Sequence, residues 1–391
     1  MEISLHNDCN KSEHLYPKVS LSPAEMVKAL ADDQPRIIRD ASGKLDIRAT
    51  LATSPLTRLF DEKERAALHA QGDHLSDNAF KLDPFERRLF SLGIKGNMTW
   101  SAALSVLFDP TNRGVFPEFV ERAVLLSENL LADTEVAESD LIANTIPLAS
   151  TSTEVTKLEM QGTTGTGDRK VMRTTEGATM RQYVLTHSET TVATKEYGFS
   201  LGITDRARLL STVDQVNLLI QELALENVNR SSVSDALTVL IAAVTETRAL
   251  ALATTLTWKD VLLFFYGSQF TSTRTPNLII STNDYAGAII SFVNLLALAN
   301  FTDPIGNPNN ATQNIVPLVR NAKLKFYPGS TLSDKLLGVR TSSALNKYEN
   351  RSLMQSEWER LASSQSDAYY WRTNRVYYCP DAKSVRTLTK T

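Results

Sequence analysis

From residue 211 to 246 the chain reads STVDQVNLLIQELALENVNRSSVSDALTVLIAAVTE. Val213, Val216, Leu219, Ile220 and Leu223, then Val233, Leu237, Leu240, Ile241 and Val244, recur at helical spacing. A continuous helix over this stretch is about 50 Å long at 1.5 Å per residue, which makes it a structural spine. Ser211 with Asp214 marks its start. Asn229, Ser231 and Ser232 are weak helix formers near its middle, so a bend or break is expected there.

What lies on either side differs in character. Before it, from residue 140, the chain is Thr-rich and favours strands: LIANTIPLAS, TEVTKLEM and, ending in EYGFSLGIT, MRQYVLTHSETTVATKEYGFSLGIT. Tyr197, Phe199, Leu201 and Ile203 alternate with Glu196, Gly198, Ser200, Gly202 and Thr204, the period of a strand with one buried face. Between the strands stands MQGTTGTGDRKVMRTTEG, residues 160–177. Gly162 and Gly167 have P-loop separation, but Asp168 and Arg169 occupy the positions where a phosphate loop needs Lys and a magnesium-binding hydroxyl. The dinucleotide pattern from Gly165 and Gly167 fails at Lys170. The stretch reads instead as the outer part of a long β-hairpin whose glycines give the tip backbone freedom. From 157 to 182, Lys157, Arg169, Lys170, Arg173 and Arg181 face Glu159, Asp168 and Glu176, a net charge of +2. A Gly-rich, mildly basic tip with few apolar residues has nothing to bury against its own domain and is expected to reach for a neighbour.

After the spine, TWKDVLLFFYGSQ gives a helix, PNLIIST a buried strand and NDYAGAIISFVNLLALANF an apolar helix too short for a membrane span. TDPIGNPNNATQN is an exposed loop. IVPLVRNAKLKFYPG, KLLGVRTSSALNKYE and AYYWRTNRVYYCPD supply strands, the last predicted as an aromatic hairpin turning at Arg372–Arg375. Upstream, the first 115 residues carry short helices with start signals: Ser22-Pro23 with Glu25, Asp61 with Glu64, and Asp83-Pro84 with Glu86. IIRDASGKLDIRA reads as two short strands around a turn. This region is expected to be a partly ordered extension. VFPEFVERAVLLSENLLAD then predicts a helix from 115.

Composition narrows the function classes. Among 391 residues, 42% are hydrophobic and 22% charged, as in ordinary globular proteins. Forty-one basic against forty-four acidic side chains give −3, so no global field draws the chain to nucleic acid or an anionic membrane. Cys9 and Cys379 stand at opposite ends, which offers no disulfide framework and suits a reducing cytoplasm, while a bond between the two stays open. The N-terminus has no secretory signal character, so the protein is expected to stay where it is made. His6, Cys9 and His14 lack the further ligands of a zinc site, and His69 and His74 flank a solvent-facing turn. No Gly-x-Ser-x-Gly or His-Glu-x-x-His pattern occurs. No catalysis and no cofactor are expected, although the residues alone leave a cytoplasmic α+β enzyme or a binding module open. From 372 to 391, Arg372, Arg375, Lys383, Arg386 and Lys390 against Asp381 give +4 beside aromatics. That composition could stack and hold nucleic acid, but alternating aromatics more often pack into a sheet.

The order of these pieces, with FPEFVERAV, DLIANTIPLAS, EGATMRQYVLT, YGFSLGIT before the spine, NLIISTNDYA and VYYCPDAKSVRTL, resembles the major capsid proteins of tailed double-stranded DNA bacteriophages. These share the Hong Kong 97-type fold, also used by encapsulin shells. The resemblance covers about residues 115–391. It implies an α+β fold with an N-terminal extension or arm at 1–115, a helix and first peripheral strands at 116–156, and an extended loop at 157–196. A peripheral domain with the spine helix would cover 197–256, an axial domain 257–345, and a return to the peripheral domain 346–391. It also implies assembly of pentamers and hexamers into an icosahedral shell in the host cytoplasm, around the viral genome. Partners would be further copies of the chain, packaged DNA through non-specific contact, and portal, scaffold or decoration proteins, with no membrane. The inter-subunit contact would fall on the loop tip at Gly165, Gly167, Arg169, Lys170, Arg173 and Glu176. Some relatives crosslink a loop Lys to a neighbour's Asn, and Lys170 is suitably placed, but without a matched Asn and catalytic Glu it reads as a surface charge. An N-terminal region of short capped helices departs from the minimal family pattern, and a retained arm that locks neighbours is the expectation.

Overall fold

A computed structural model describes residues 21–32, 37–40, 45–70, 83–109, 112, 114–131, 134–148, 150–162, 183–244, 247–250, 260, 263–265, 275–282, 322–332, 335–361 and 365–390. Five helices come first: α1 (Pro23–Asp32), α2 (Ile47–Ala52), α3 (Pro55–Ala70), α4 (Pro84–Ser91) and α5 (Trp100–Leu107). Then α6 (Val115–Leu126) runs into a 3₁₀ turn at Ser127–Leu130, and the short α7 (Glu138–Leu141) leads to β1 (Asn144–Pro147). Next are β2 (Ser152–Gly162), β3 (Tyr183–Ala193), β4 (Lys195–Thr204) and α8 (Asp205–Leu210). A long helix follows as α9 (Val213–Ala224), a π turn (Leu225–Arg230) and α10 (Ser231–Ala242). The remainder is β5 (Thr247–Leu250), β6 (Leu278–Ser281), β7 (Lys323–Phe326), β8 (Lys335–Val339), α11 (Thr341–Ala344), β9 (Asn346–Leu361), β10 (Ser366–Tyr378) and β11 (Val385–Lys390).

The start signals act as their chemistry requires, with two exceptions. Ser22 and Glu25 exchange hydrogen bonds at the head of α1, and Asp83 with Glu86 forms a capping box on α4. Asp61 and Glu64, however, lie inside α3, which begins at Pro55, and their carboxylates pair with Arg65 and Arg87 rather than capping. Among the described residues of 37–49 there is one bridge, Arg39 to Leu45, and Asp46 accepts from the Ala49 N–H at 2.9 Å and starts α2 where a second strand was expected. The long helix is capped by Thr212 and Gln215 instead of Ser211 and Asp214. It does not break at Asn229, Ser231 and Ser232. There the backbone widens into the π turn, Asn229 Nδ2 donates to Ser127 Oγ at 2.6 Å, and Arg375 Nη1 donates to Ser232 Oγ at 3.3 Å. Asn229 and Ser232 thus use their polar groups on neighbouring elements, while Ser231 is exposed.

Among the described residues, three sheets organise the strands. The first has the order β1-β9-β10-β4, with β1 parallel to β9 and the other pairs antiparallel. The second has the order β5-β11-β8-β6-β7. The third contains only β2 and β3. The expected turn at Arg372–Arg375 is absent: β10 is one strand, and its register against β9 shifts between Arg372 and Asn374 as a β-bulge. Buried Thr373 and Arg375 continue the inward alternation that a turn would have thrown into solvent.

The core lies where α5, α6 and α9 meet the first sheet. Trp100, Phe116, Phe119, Val120, Leu201, Ile220, Tyr369 and Trp371 belong to one cluster, which also takes in Leu56, Phe60, Phe85 and Leu89 from α3 and α4. Trp100 sits edge-on to Tyr369 with ring centroids 6.3 Å apart, and Phe199 stacks on Trp371 across the β4–β10 pair at 5.7 Å. Each such buried side chain contributes about 1.5–3 kcal/mol, so the N-terminal helices are bound to the rest by many of these terms. Backbone contacts add to this. The N–H groups of Val213 and Asp214 at the head of α9 donate to Met98 and Gly96 carbonyls at 3.0 and 3.1 Å, and Trp100 N–H donates to Ser211 O at 2.8 Å. The second sheet feeds the same cluster through Leu278, Ile280, Leu337 and Val339, and also buries Ile279, Leu336 and Leu388.

Candidate functional site

The feature with the least internal explanation is the β2–β3 hairpin. Its strands pair antiparallel from Ser152 with Ala193 to Gly162 with Tyr183, and among the described residues they pair with no other strand. At 3.4 Å per residue the paired length is about 35 Å. The six tip residues, Gly165, Gly167, Arg169, Lys170, Arg173 and Glu176, lie outside the described residues, as does most of the stretch that mimics a phosphate loop.

What the structure does show is how the hairpin's base is held. Thr194 donates to Thr151 O from both its N–H (2.9 Å) and its hydroxyl (3.0 Å), closing the base. Asn350 Nδ2 donates to Ser150 O at 2.9 Å, and Leu148 N–H to Glu349 O at 3.0 Å, which ties the incoming chain to β9. The outgoing chain runs straight into β4. There Lys195 Nζ and the Tyr197 hydroxyl reach the two oxygens of Asp235 on α10, at 2.8 and 2.5 Å. Burial first, and then the hydrogen bond to Asp235, push the Tyr197 phenol well above its ordinary value, so it stays a neutral donor.

Beneath this base lies a buried ionic hub. Arg375 on β10 donates from Nε to Glu349 at 2.8 Å and from Nη1 to Glu138 at 3.0 Å. Tyr377 donates to the other Glu138 oxygen, and Lys347 stands 3.3 Å from Glu138 and 3.5 Å from Glu349. Burial alone would raise the Glu138 carboxyl; the charges of Arg375 and then Lys347, with the Tyr377 hydrogen bond, outweigh it and hold the group below its ordinary value. Burial and the adjacent Glu138 raise the Tyr377 phenol. Two carboxylates, a guanidinium, an ammonium and the Tyr377 phenol, which stays protonated, join α7, β9 and β10, and Arg375 also reaches Ser232 on α10. Pinning geometry is the chemistry such an arrangement performs.

Sequence reasoning missed this hub because Arg375 was read as a turn residue. The signal was present in the alternation of Thr373, Arg375 and Tyr377 along one strand face. Two cations of the basic tail are likewise spent on structure: Arg375 is in the hub, and buried Arg386 donates to the Phe264 and Phe265 carbonyls. Tyr369, Trp371 and Tyr377 are buried in the sheet, leaving Tyr370 as the exposed large aromatic of β10. Among the described residues no group of three His, Cys, Asp or Glu side chains could hold a metal ion, and no helix is long and apolar enough to cross a membrane. On α8 and α9, Leu209, Leu210, Leu218 and Leu219 are exposed.

No protein-family model matches the chain. No curated protein matches it in sequence. Among solved structures it is similar to the capsid of an empty GTA particle, at 13% identity and TM-score 0.42 over 67% of this chain and 92% of that one. It is also similar to a chain of Microbacterium phage Oxtober96, at 15% identity and TM-score 0.45 over 68% and 98%. A virus-like particle from Pyrococcus furiosus is similar at 8% identity and TM-score 0.41 over 70% and 99%.

Proposed function

We propose that the chain is the major capsid protein of a tailed double-stranded DNA bacteriophage, a structural subunit that assembles into pentamers and hexamers of an icosahedral shell. One observation carries the reading: a hairpin of two eleven-residue strands that pair only with each other among the described residues, on a base fixed to the first sheet and to α10. An element so firmly rooted, whose strands pair only with each other among the described residues, is suited to contact with another copy. The order of elements supports the reading: a helix at 115, the hairpin, the long helix, and a second sheet of β5, β6, β7 and β8 that β11 completes. Exposed leucines on α8 and α9 add apolar surface suited to burial between subunits. The tip residues Gly165 to Glu176 make the contact in this reading, and many modest, repeated interfaces hold the shell.

The test is direct. The expressed protein, sedimented and imaged by negative stain across a range of salt, should form capsomers or closed shells, and shells from infected cells should protect double-stranded DNA from nuclease. A stable 43.3 kDa monomer under every condition would refute the assembly. Shells that enclose a protein cargo and no DNA would refute the genome-packaging role.

A further inference from the structure

Two buried carboxyls stand on the seam between the N-terminal helices and α6 with its 3₁₀ extension. Glu118, fully buried, accepts from Ser54 Oγ at 2.9 Å on both oxygens and from the Thr57 hydroxyl. The facing cation, Arg122, stays 3.9 Å away. It donates instead to Thr57 Oγ1 at 3.1 Å and to Asp83 Oδ2 at 2.6 Å. Arg122 also faces Glu86 on α4, and Glu121 adds another buried carboxyl on α6. One guanidinium therefore serves Glu118, Asp83 and Glu86 together. Ten residues beyond Glu118, Glu128 accepts at Oε2 from Arg39 Nη2 at 2.9 Å and from Ser139 Oγ at 3.2 Å, while its buried Oε1 has no hydrogen-bond partner among the described residues. Glu138 and Asp140 of α7 face it with like charge. Both sites join the N-terminal part to the rest through an acid that is short of cations.

We propose that the N-terminal helices α2, α3 and α4, with the 37–40 segment, form a proton-gated latch on α6, docked while Glu118 and Glu128 are neutral and loosened when they ionise. Burial first, then Glu121, pushes the Glu118 carboxyl up to about 7, against the opposing pull of Arg122 and the two hydroxyls. Burial likewise pushes Glu128 up to about 7, with Arg39 opposing and Glu138 and Asp140 adding. Both lie above the ordinary carboxyl value of 4.5. The docked state therefore holds more protons than the open one between pH 4.5 and 7. Docking is tightest below that window, weakens as pH rises through it, and levels off above 7.

Hydrogen exchange of the intact chain between pH 5 and 8, corrected for intrinsic rates, reads this directly. Amide protection in α3 should fall by up to about tenfold per pH unit for each carboxyl up to pH 7 and then flatten, with α9 unchanged. Glutamine keeps an acceptor for Ser54 and Arg39 without the charge, so Glu118→Gln and Glu128→Gln should each remove a comparable share of the logarithmic slope, and the double variant should leave only the remainder carried by Glu86, whose carboxyl burial also raises. Flat protection in the unmodified chain, or an unaltered slope in the double variant, overturns the latch. Should the variants fail to fold, infrared spectra of the unmodified chain labelled with carbon-13 glutamate decide. A protonated buried carboxyl present at pH 6 and gone by pH 8 supports the proposal, and its absence at pH 6 overturns it.

Discussion

Arg375 shows what a single residue costs when its partners are buried. Replacing it with Met keeps an unbranched apolar stem but leaves Glu138 and Glu349 without the guanidinium that neutralises both. Removing one partner of a buried ion pair typically destabilises by about 3–5 kcal/mol, because the other charge remains out of water. Arg375→Met should lower the urea midpoint correspondingly, and a change below about 1 kcal/mol would mean that water reaches the hub. Sequence carried the composition of this site but not its meaning. Arg372-Thr-Asn-Arg375 has turn chemistry, and only the register of β10 between β9 and β4 shows that Arg375 points inward. In the same way Glu118 was visible as a helix residue, while the hydroxyls of Ser54 and Thr57, more than sixty positions upstream, were not. Local signals cannot announce partners that only the tertiary fold brings into contact.

At the level of elements, periodicity was the informative signal. The long helix, the strand at 195–204 and the helix at 115 follow directly from where the apolar residues fall. Boundaries and breaks were harder. Asn229, Ser231 and Ser232 predict a bend or break by propensity, yet the helix continues through a π turn, with Asn229 donating to Ser127 and Ser232 accepting from Arg375. The hairpin gives the element-scale prediction. Because β2 and β3 pair only with each other among the described residues, deleting 162–172 should leave far-ultraviolet circular dichroism and solubility unchanged while assembly fails or weakens. Shells that form unimpaired from the deleted chain would end the proposed role of the tip.

For the whole molecule, the N-terminal 21–107 is the part least legible from sequence. Its helices are short, its start signals are scattered, and nothing in the pattern says which apolar face meets which. In the structure Leu56, Phe60, Phe85 and Trp100 lie in the same cluster as Phe119, Ile220 and Tyr369, and residues 96–98 hold the head of α9. A chain that begins at residue 108 would expose this surface and should be insoluble or molten, as judged by soluble yield and near-ultraviolet circular dichroism. A soluble truncated chain with sharp near-ultraviolet bands would show that the N-terminal helices are an accessory. The latch fits within this frame, because loosening a seam for part of the time differs from removing the layer.

The parallel pairing of Asn144 with Asn346 has a consequence for synthesis. About two hundred residues separate these partners, so β1 leaves the ribosome long before the strand that completes it exists. At 5–20 residues per second, the wait is on the order of tens of seconds. During that interval β1 has a bare edge, and the inward faces of α6 and α9 lack the aromatic strand β10 that will cover them. The nascent chain is thus vulnerable until its last fifth emerges, and its yield should respond to chaperone supply and growth temperature more steeply than that of a protein whose sheets close locally.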